Sequence, residues 1–339
     1  MSLIKPFTGV DDRSTLSECI PLDTPYTIGI APSNACNFKC NYCVQSMDQN
    51  LLKKAYNFKR DTMTFGTFKN VVDQLRDFPR KIKLLTFMGQ GEPLLNKNIA
   101  KMISYAKEKE IAERIDIVTN ASLLTKEKSD ELLDAGLDVL RISLQGITSE
   151  HYKKTSNIKL VFNELVENIK YFYEKSRGKC EIFVKIMNTS LEEGQEQDFY
   201  KLFENITDRM FIEQLKPVYN GVDYSNYNYD LATDRRGNTI DINEGIVCSQ
   251  CFFTLSIWPD GFVNICSAIH KINILGNVNS GNLLKMWHSS KLKKFHIMQL
   301  KKLRNTHPQC KLCYAPLECA HKSDFLDKDA ERLLNEKYR

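Results

Sequence analysis

Between residues 22 and 217, short apolar runs alternate with longer amphipathic ones, and that alternation leaves few folds open to the chain. The short runs are TIGIA (27–31), IKLLTFM (82–88), IDIVT (115–119), LDVLRIS (137–143), EIFVKIM (181–187) and MFIEQL (210–215). Apolar residues at helical spacing fill 64–78, 98–110, 125–135, 162–176 and 195–206. Strands separated by helices pair in parallel, because each helix supplies the return crossover and covers one face of the sheet. The predicted class is therefore α/β. Right-handed βαβ units of this kind curve into a full or partial barrel, or stay open as a doubly wound sheet. In both forms ligands lie at the C-terminal ends of the strands, so residues just after each run carry the most functional weight.

The alternation stops at 218. Residues 218–246 are polar, rich in Tyr, Asn and Asp, and read as a linker. Its Tyr and Asn side chains at 219–229 are candidates to reach the pocket, though no periodicity places them. Beyond 247 the chain is Cys-rich and has too little apolar sequence for a large core, as expected of a metal-stapled unit. The predicted organisation is an N-terminal extension (1–21), a main domain (22–217), a linker (218–246), a small Cys-rich domain (247–325) and a tail (326–339). No apolar run approaches the ~20 residues of a membrane span. The first twenty residues lack the pattern of a secretory signal. A cytoplasmic protein with no membrane partner is expected.

Eleven cysteines are present. Three lie in 36–43, three in 248–266 and three in 310–319, with only Cys19 and Cys180 apart. In a reducing compartment, clustered cysteines point to metal binding or catalysis rather than disulfides. Cys180 opens the run EIFVKIM and reads as an inert core thiol. Cys36, Cys40 and Cys43 follow the first strand, on the ligand-binding rim. Three thiolates at this spacing can each ligate one iron of a four-iron cluster, which leaves the fourth iron open to a chelating molecule. Zinc is the rival, but it wants four closed ligands, and no His lies nearby.

The net charge of +5 is unevenly spread: residues 285–311 hold eight Lys or Arg and no Asp or Glu. Nucleic acid would be drawn to such a stretch. Trp287, Leu292, Phe295 and Met298 recur there at helical spacing, however, which reads as an amphipathic helix packed on a core. No nucleic-acid partner is expected.

Cys-x3-Cys-x2-Cys, with Tyr42 before the last Cys, resembles the signature of the radical S-adenosylmethionine superfamily. The resemblance covers about 22–217 and implies a partial (β/α)6 barrel of TIM type. It further implies a 4Fe–4S cluster on Cys36, Cys40 and Cys43 whose open iron binds the amino and carboxylate groups of S-adenosylmethionine, with Tyr42 near the adenine. After the second strand, Gly89-Gln90-Gly91-Glu92-Pro93 resembles the family's Gly-Gly-Glu-Pro element, which grips the methionine amino group. Gln90 replaces its first glycine. Thr119-Asn120-Ala121 follows the third strand where the family often has Thr-Asn-Gly. Ser143 ends the fourth strand, with Gln145 where an Asp is common. Asn120 and Ser143 are implied ribose or carboxylate contacts, or else polar strand caps.

FFTLSIWPDGFVNIC, and the helix around Trp287 that leads to Cys310-x2-Cys313, are similar to the SPASM and Twitch auxiliary-cluster domains. Two ligand sets are compatible with that resemblance. A single auxiliary 4Fe–4S cluster takes Cys248, Cys266, Cys310 and Cys313, leaving Cys251 and Cys319 spare. Two clusters take Cys248, Cys251 and Cys266 against Cys310, Cys313 and Cys319, with His321 completing the second. The implied chemistry is reductive cleavage of S-adenosylmethionine to a 5′-deoxyadenosyl radical, which takes a hydrogen from a substrate carbon. An electron donor such as flavodoxin or ferredoxin is the implied protein partner. The chain also resembles the diol-dehydrogenating enzymes of aminoglycoside biosynthesis in length, in the 18-residue step from Cys248 to Cys266 and in Cys310-x2-Cys313. That implies an iron–sulfur oxidoreductase acting on a small molecule: a sugar, aminocyclitol or nucleotide-sugar. A peptide or protein maturase of SPASM type is the alternative, for which residues 1–21 are short as a leader-binding domain. RNA modification is a third reading, from the likeness of Thr86-Phe-Met-Gly-Gln-Gly-Glu-Pro to the adenosine-methylating branch.

Overall fold

The computed structural model describes residues 2–7, 13–241, 243–267, 269, 274–318 and 321–339. Its strands are β1 (Leu3–Ile4), β2 (Thr27–Ile30), β3 (Ile82–Phe87), β4 (Ala112–Thr119), β5 (Val139–Leu144), β6 (Glu181–Met187), β7 (Arg209–Glu213), β8 (Thr254–Ile257), β9 (Phe262–Asn264) and β10 (Ile274–Asn277). They form one sheet in the order β1-β7-β6-β5-β4-β3-β2-β8-β9-β10. Strands β2 to β7 are parallel neighbours and correspond to the six apolar runs of the sequence. They make the expected partial barrel. β2 and β7 do not pair with each other, so the barrel stays open between them.

Helices Phe65–Leu75, Ile99–Glu108, Lys126–Asp134, Phe162–Ser176 and Glu196–Phe203 return the chain between these strands. Two start on threonine caps: Thr64 accepts from the Thr67 amide and Thr125 from the Lys128 amide. Strand residues alternate between the two faces of the sheet. Ile28, Leu85, Ile117, Ile142 and Val184 point outward and are fully buried under the helices. The inner face is different in kind. It carries Thr86, Asp116, Arg141, Lys185 and Glu213, so the lumen is polar and charged.

The N-terminal segment is more than an extension. β1 adds parallel to β7, pairing Leu3 with Arg209 and Ile4 with Met210. Phe7 then turns inward, 5.6 Å from the Phe183 ring and 4.2 Å below the guanidinium of Arg141. A two-residue strand has no period to read, which is why the sequence pattern missed it. The Cys-rich part likewise shares the barrel's sheet. β8 adds parallel to β2, with Thr27 opposite Thr254 and Gly29 opposite Ser256, and β9 and β10 continue antiparallel. Most buried residues of both parts join in one apolar core, and a smaller cluster packs Val44, Leu52, Tyr56 and Phe58 against Trp258 and Ile269.

The basic stretch packs on the core, as two helices rather than one: Leu283–Trp287 and Ser290–Leu300, with Phe295 and Met298 only half-buried. In helix Ser290–Leu300, Leu292 and Leu300 are buried while Lys291, Lys293 and Lys294 face solvent. The Trp287 indole N–H donates to the Leu22 carbonyl at 2.9 Å, holding this region to the barrel. No described helix is long and apolar enough to cross a membrane.

Candidate functional site

The loop after β2 runs across the C-terminal rim of the barrel and is clamped from two sides. On one side stands the turn after β3. The Glu92 amide donates to the Ala35 carbonyl at 2.8 Å. A Cβ on Gly91 would lie 2.4 Å from the carbonyl oxygens of Ala35 and Ser33, so only glycine fits there. A Cβ on Gly89 would lie 2.9 Å from that of Ala31. The close approach that these glycines permit is between two loops of the rim. On the other side stands helix Ser149–Ser156, which no sequence pattern had singled out. The Lys39 and Asn41 amides donate to the Ser156 and Thr155 carbonyls at 3.0 and 2.9 Å. The Cys40 thiol lies 3.4 Å from Ser156 Oγ.

Cys36, Cys40 and Cys43 are close enough to feel one another's charge. Burial pushes the Cys36 thiol up to about 11 and raises Cys40 and Cys43 as well. Thiols held protonated in this way give up their protons to solvent when a metal binds, so binding iron and losing protons are linked. Three thiols carried on one loop fit a cluster, in which each thiolate takes its own iron. Asn120 Nδ2 lies 3.9 Å and the Phe38 amide 3.4 Å from Cys36 Sγ, ready to stabilise charge on that sulfur.

Glu92 is 2% exposed. Its Oε1 accepts from the Leu94 amide (2.9 Å) and the Thr119 hydroxyl (2.6 Å), and its Oε2 from the Asn120 amide (2.8 Å). Burial raises its pKa while these three donors pull the other way. The elements after β3 and β4 are thus one hydrogen-bonded unit, with Thr119 an unforeseen member. Asn120 Nδ2 also donates to Asn37 Oδ1 at 3.0 Å, tying that unit to the cysteine loop. Ala121 sits at φ 59°, in the left-handed region that favours glycine, which accounts for the family's preference at this position.

Tyr42 points between the loops after β5 and β6. Its hydroxyl interacts with Ser190 and Gln145, and burial raises it well above the ordinary phenol range. Residues 224–227 of the polar segment lie against it. Tyr224 donates its O–H to the Tyr42 carbonyl at 3.1 Å, and the Tyr227 ring meets Tyr42 edge-on at 6.5 Å. Tyr219 donates to Gln90 Oε1 at 2.9 Å. The density of Tyr in this segment was the available signal. Ser143 stands apart from the Glu92–Asn120 group, at the end of β5, with Lys185 opposite in register.

A second thiol group forms where β8 leaves the rest of the Cys-rich region. Cys248 senses the charges of Cys266 and Cys313, Cys310 those of Cys248 and Cys313, and Cys251 those of Cys248, Cys266 and Cys310. Burial pushes Cys248 and Cys310 each to about 12, with the Arg304 guanidinium pulling both down. Gln299 holds the group together, accepting from the Cys248 amide at 3.2 Å and donating toward Cys310 Sγ at 3.8 Å. Cys251 is 1% exposed and its thiol donates to the Cys248 carbonyl at 3.3 Å. Cys319 lies outside the described residues. His321 Nδ1 lies 2.8 Å from Ser323 Oγ.

The family model described as the Radical SAM superfamily matches residues 30–203, just over half the chain. One described as an iron–sulfur cluster-binding domain, SPASM, matches 248–314. The GTP 3′,8-cyclase of Staphylococcus haemolyticus is 29% identical over 144 residues, 42% of this chain and 40% of that one. The dTDP-4-amino-4,6-dideoxy-D-glucose ammonia-lyase of Streptomyces venezuelae is 26% identical over 151 residues, 44% of this chain and 29% of that one. The chain thus spans less than half the length of these two relatives. Among solved structures, SuiB of Streptococcus suis bound to S-adenosylmethionine superimposes with a TM-score of 0.65 at 18% identity, covering 88% of this chain and 74% of that one. That likeness shows the fold.

Proposed function

The chain belongs to the radical SAM superfamily, and from that premise we propose that it is an iron–sulfur oxidoreductase acting on a small molecule: a sugar, aminocyclitol or nucleotide-sugar. The observation that carries this reading is the continuous rim in which the Cys36–Cys43 loop, the Gly91-Glu92 turn and Asn120 are hydrogen-bonded to one another. When bound, a 4Fe–4S cluster with S-adenosylmethionine would supply radical hydrogen abstraction from the substrate. Cys36, Cys40 and Cys43 would hold the cluster. Glu92, kept in place by Thr119 and Asn120, would balance the positive amino group of S-adenosylmethionine, and Tyr42 would stand by its adenine. The tyrosines of 218–246 cover this site and exclude water.

Cys248, Cys266, Cys310 and Cys313 hold one auxiliary cluster, able to accept an electron from the substrate. What supports this set is Gln299, which accepts from the Cys248 amide at 3.2 Å and donates toward Cys310 Sγ at 3.8 Å, so that the two cysteines flank one side chain. Cys251, packed into the core, is then spare. Electrons enter from an external carrier such as flavodoxin or ferredoxin. The surface outside Cys40 bears exposed Lys39, Lys153, Lys154 and Lys159, which suits an acidic partner.

The two relatives above support a small-molecule substrate, since each is named for a nucleotide or a nucleotide-sugar. Likeness to SuiB, also solved with its precursor peptide, is a likeness of fold and does not favour a peptide. The test is anaerobic incubation of cluster-loaded protein with S-adenosylmethionine and dithionite, followed by chromatography. Release of 5′-deoxyadenosine is expected. Protein that carries its full iron complement yet releases none, with candidate sugars present or absent, would overturn the reading.

A further inference from the structure

On the Cys40 side of the rim loop, the cover is one turn of helix. The Cys40 thiol lies 3.4 Å from Oγ of Ser156, the last residue of helix Ser149–Ser156. The last carbonyls of a helix have no partner within it. Here the loop takes them up: the Lys39 amide donates to Ser156, the Asn41 amide to Thr155 and Asn41 Nδ2 to Lys154, at 3.0, 2.9 and 3.1 Å. The other two cysteines are screened differently. Asn120 stands by Cys36, with the Glu92 turn behind it. Cys43 packs against the cluster of Val44, Leu52, Tyr56, Phe58 and Trp258. An electron crosses protein only over short gaps, so a single turn over Cys40 favours entry there.

That turn is basic. Lys153 and Lys154 are exposed on it, Lys39 is exposed on the loop beside Cys40, and Lys159 is exposed just beyond the helix. All four lack an ion-pair partner among the described residues, and every residue from 148 to 170 is described. An open groove of about 720 Å³ runs between the helix and residues 159–161. Its lining sets Lys153, Lys154 and Lys159 against one carboxylate, Glu150. Exposed Glu164, on the following helix, is the next carboxylate along the chain. Val161, 57% exposed, also lines the groove. An apolar spot inside a charged rim is the composition of a protein-docking surface. Cations gathered without counter-ions repel one another, and an acidic partner removes that repulsion.

We propose that this face, with Lys39, Lys153, Lys154 and Lys159 around Val161, docks an acidic one-electron carrier protein and admits its electron to the centre held by Cys36, Cys40 and Cys43. The step is one electron: the carrier is oxidised by one, the centre is reduced by one, and no bond or proton changes hands at the face. The proposal rests on the radical reading above and deepens it by giving the partner a place. The carrier meets the chain between β5 and β6, whereas the auxiliary thiols flank β8 and β9, towards the other end of the sheet. A rival face lies by those thiols, where Lys301, Lys302 and Lys311 are exposed along with Leu303 (46%) and Leu312 (51%).

Flavodoxin is the probe, titrated calorimetrically into cluster-loaded protein at low salt. One variant combines Lys153→Gln, Lys154→Gln and Lys159→Gln, and a second changes the same three positions to Glu. Neutralisation is expected to weaken flavodoxin binding about threefold and reversal about tenfold or more, with added salt closing the gap to the native protein. The thermal transition stays in place, because all three side chains are exposed. Release of 5′-deoxyadenosine is then followed with two reductants. Driven by reduced flavodoxin it falls in step with affinity; driven by dithionite, which needs no docking face, it is unchanged. The control combines Lys301→Glu, Lys302→Glu and Lys311→Glu, and binds flavodoxin as the native protein does. Native protein that does not bind flavodoxin, variants that bind it as tightly as native, a control that weakens it equally, or a short RNA duplex that binds this face more tightly than flavodoxin overturns the proposal. No release with either reductant, alongside lysine-dependent flavodoxin binding, faults the radical reading and leaves the docking face standing.

Discussion

Tyr219, in the polar segment after β7, donates its hydroxyl proton to Oε1 of Gln90, in the turn after β3, at 2.9 Å. Gln90 occupies the position where the resembled motif has a glycine, which has no side chain to offer. The departure is therefore used: it fastens the cover of the site to the turn that carries Glu92. Gln90 is itself steadied from behind, since Gln45 Nε2 donates to its carbonyl.

Removing the Tyr219 hydroxyl should loosen the cover without unfolding the barrel. Tyr219→Phe is expected to cost about 1 kcal/mol locally, the net value of one hydrogen bond. Amide hydrogen exchange in 218–246 should quicken several-fold while β3 to β6 stay protected. Gln90→Gly should have the same effect. Unchanged exchange in both variants would show that the bond does not hold the segment.

Gly91→Ala should be severe. Its Cβ would fall 2.4 Å from two carbonyl oxygens of the neighbouring loop, neither of which is a flexible side-chain end. A loss of about 3 kcal/mol is expected, read from the urea midpoint, together with loss of S-adenosylmethionine binding. Gly66→Ala is the control. Gly66 lies on the exposed side of helix Phe65–Leu75, where a Cβ meets only Thr64 Oγ1 at 3.8 Å. There alanine should add about 0.5–1 kcal/mol through helix propensity. Equal effects at the two positions would refute the clamp.

Cys36→Ala, Cys40→Ala and Cys43→Ala should each abolish 5′-deoxyadenosine release while the Cys248–Cys313 iron remains. Anaerobically reconstituted native protein should hold about eight irons per chain and the variants about four. About twelve in the native protein would mean two auxiliary clusters. Loss of all iron from a Cys36 variant would show that the two centres are wrongly divided.

Glu213 lies in the lumen between Lys185 (2.7 Å) and Arg235 (3.8 Å). Burial works to raise its pKa, but those charges outweigh burial and hold it below its ordinary value of 4.5. A carboxyl whose folded pKa is depressed stabilises fully above its unfolded pKa and loses that stabilisation as pH falls through the folded value. Glu213→Gln is therefore expected to cost about 3 kcal/mol at pH 7, by leaving buried Lys185 without its carboxylate. The gap between native and variant urea midpoints should narrow as pH drops below 4.5. A gap that is constant with pH would mean that the ion pair is not its source.

What could be read from sequence was local. The short apolar runs of β3 and β6 and the period of 3.6 in helix Phe162–Ser176 follow from which residues of one element meet the core. The spacing of Cys36, Cys40 and Cys43 lies within one loop, so their candidacy for one cluster needed no knowledge of the rest of the chain. The polar positions of the inner strands were visible too, but not what they enclose. Thr86 and Ser256 look like ordinary alternation until β8 is found beside β2.

Sequence alone carried the class of fold, the succession of the six barrel strands and the two groups of cysteines, because each depends on residues within a few positions of one another. Tertiary structure alone decided which loops meet. Tyr219 and Gln90 are 129 residues apart, and the β1–β7 and β2–β8 pairs join segments more than 200 residues apart. Such contacts leave no period in the chain. They arise because an open barrel must satisfy the backbone of its two edge strands and cover its lumen, and any segment able to do so leaves its mark only in space.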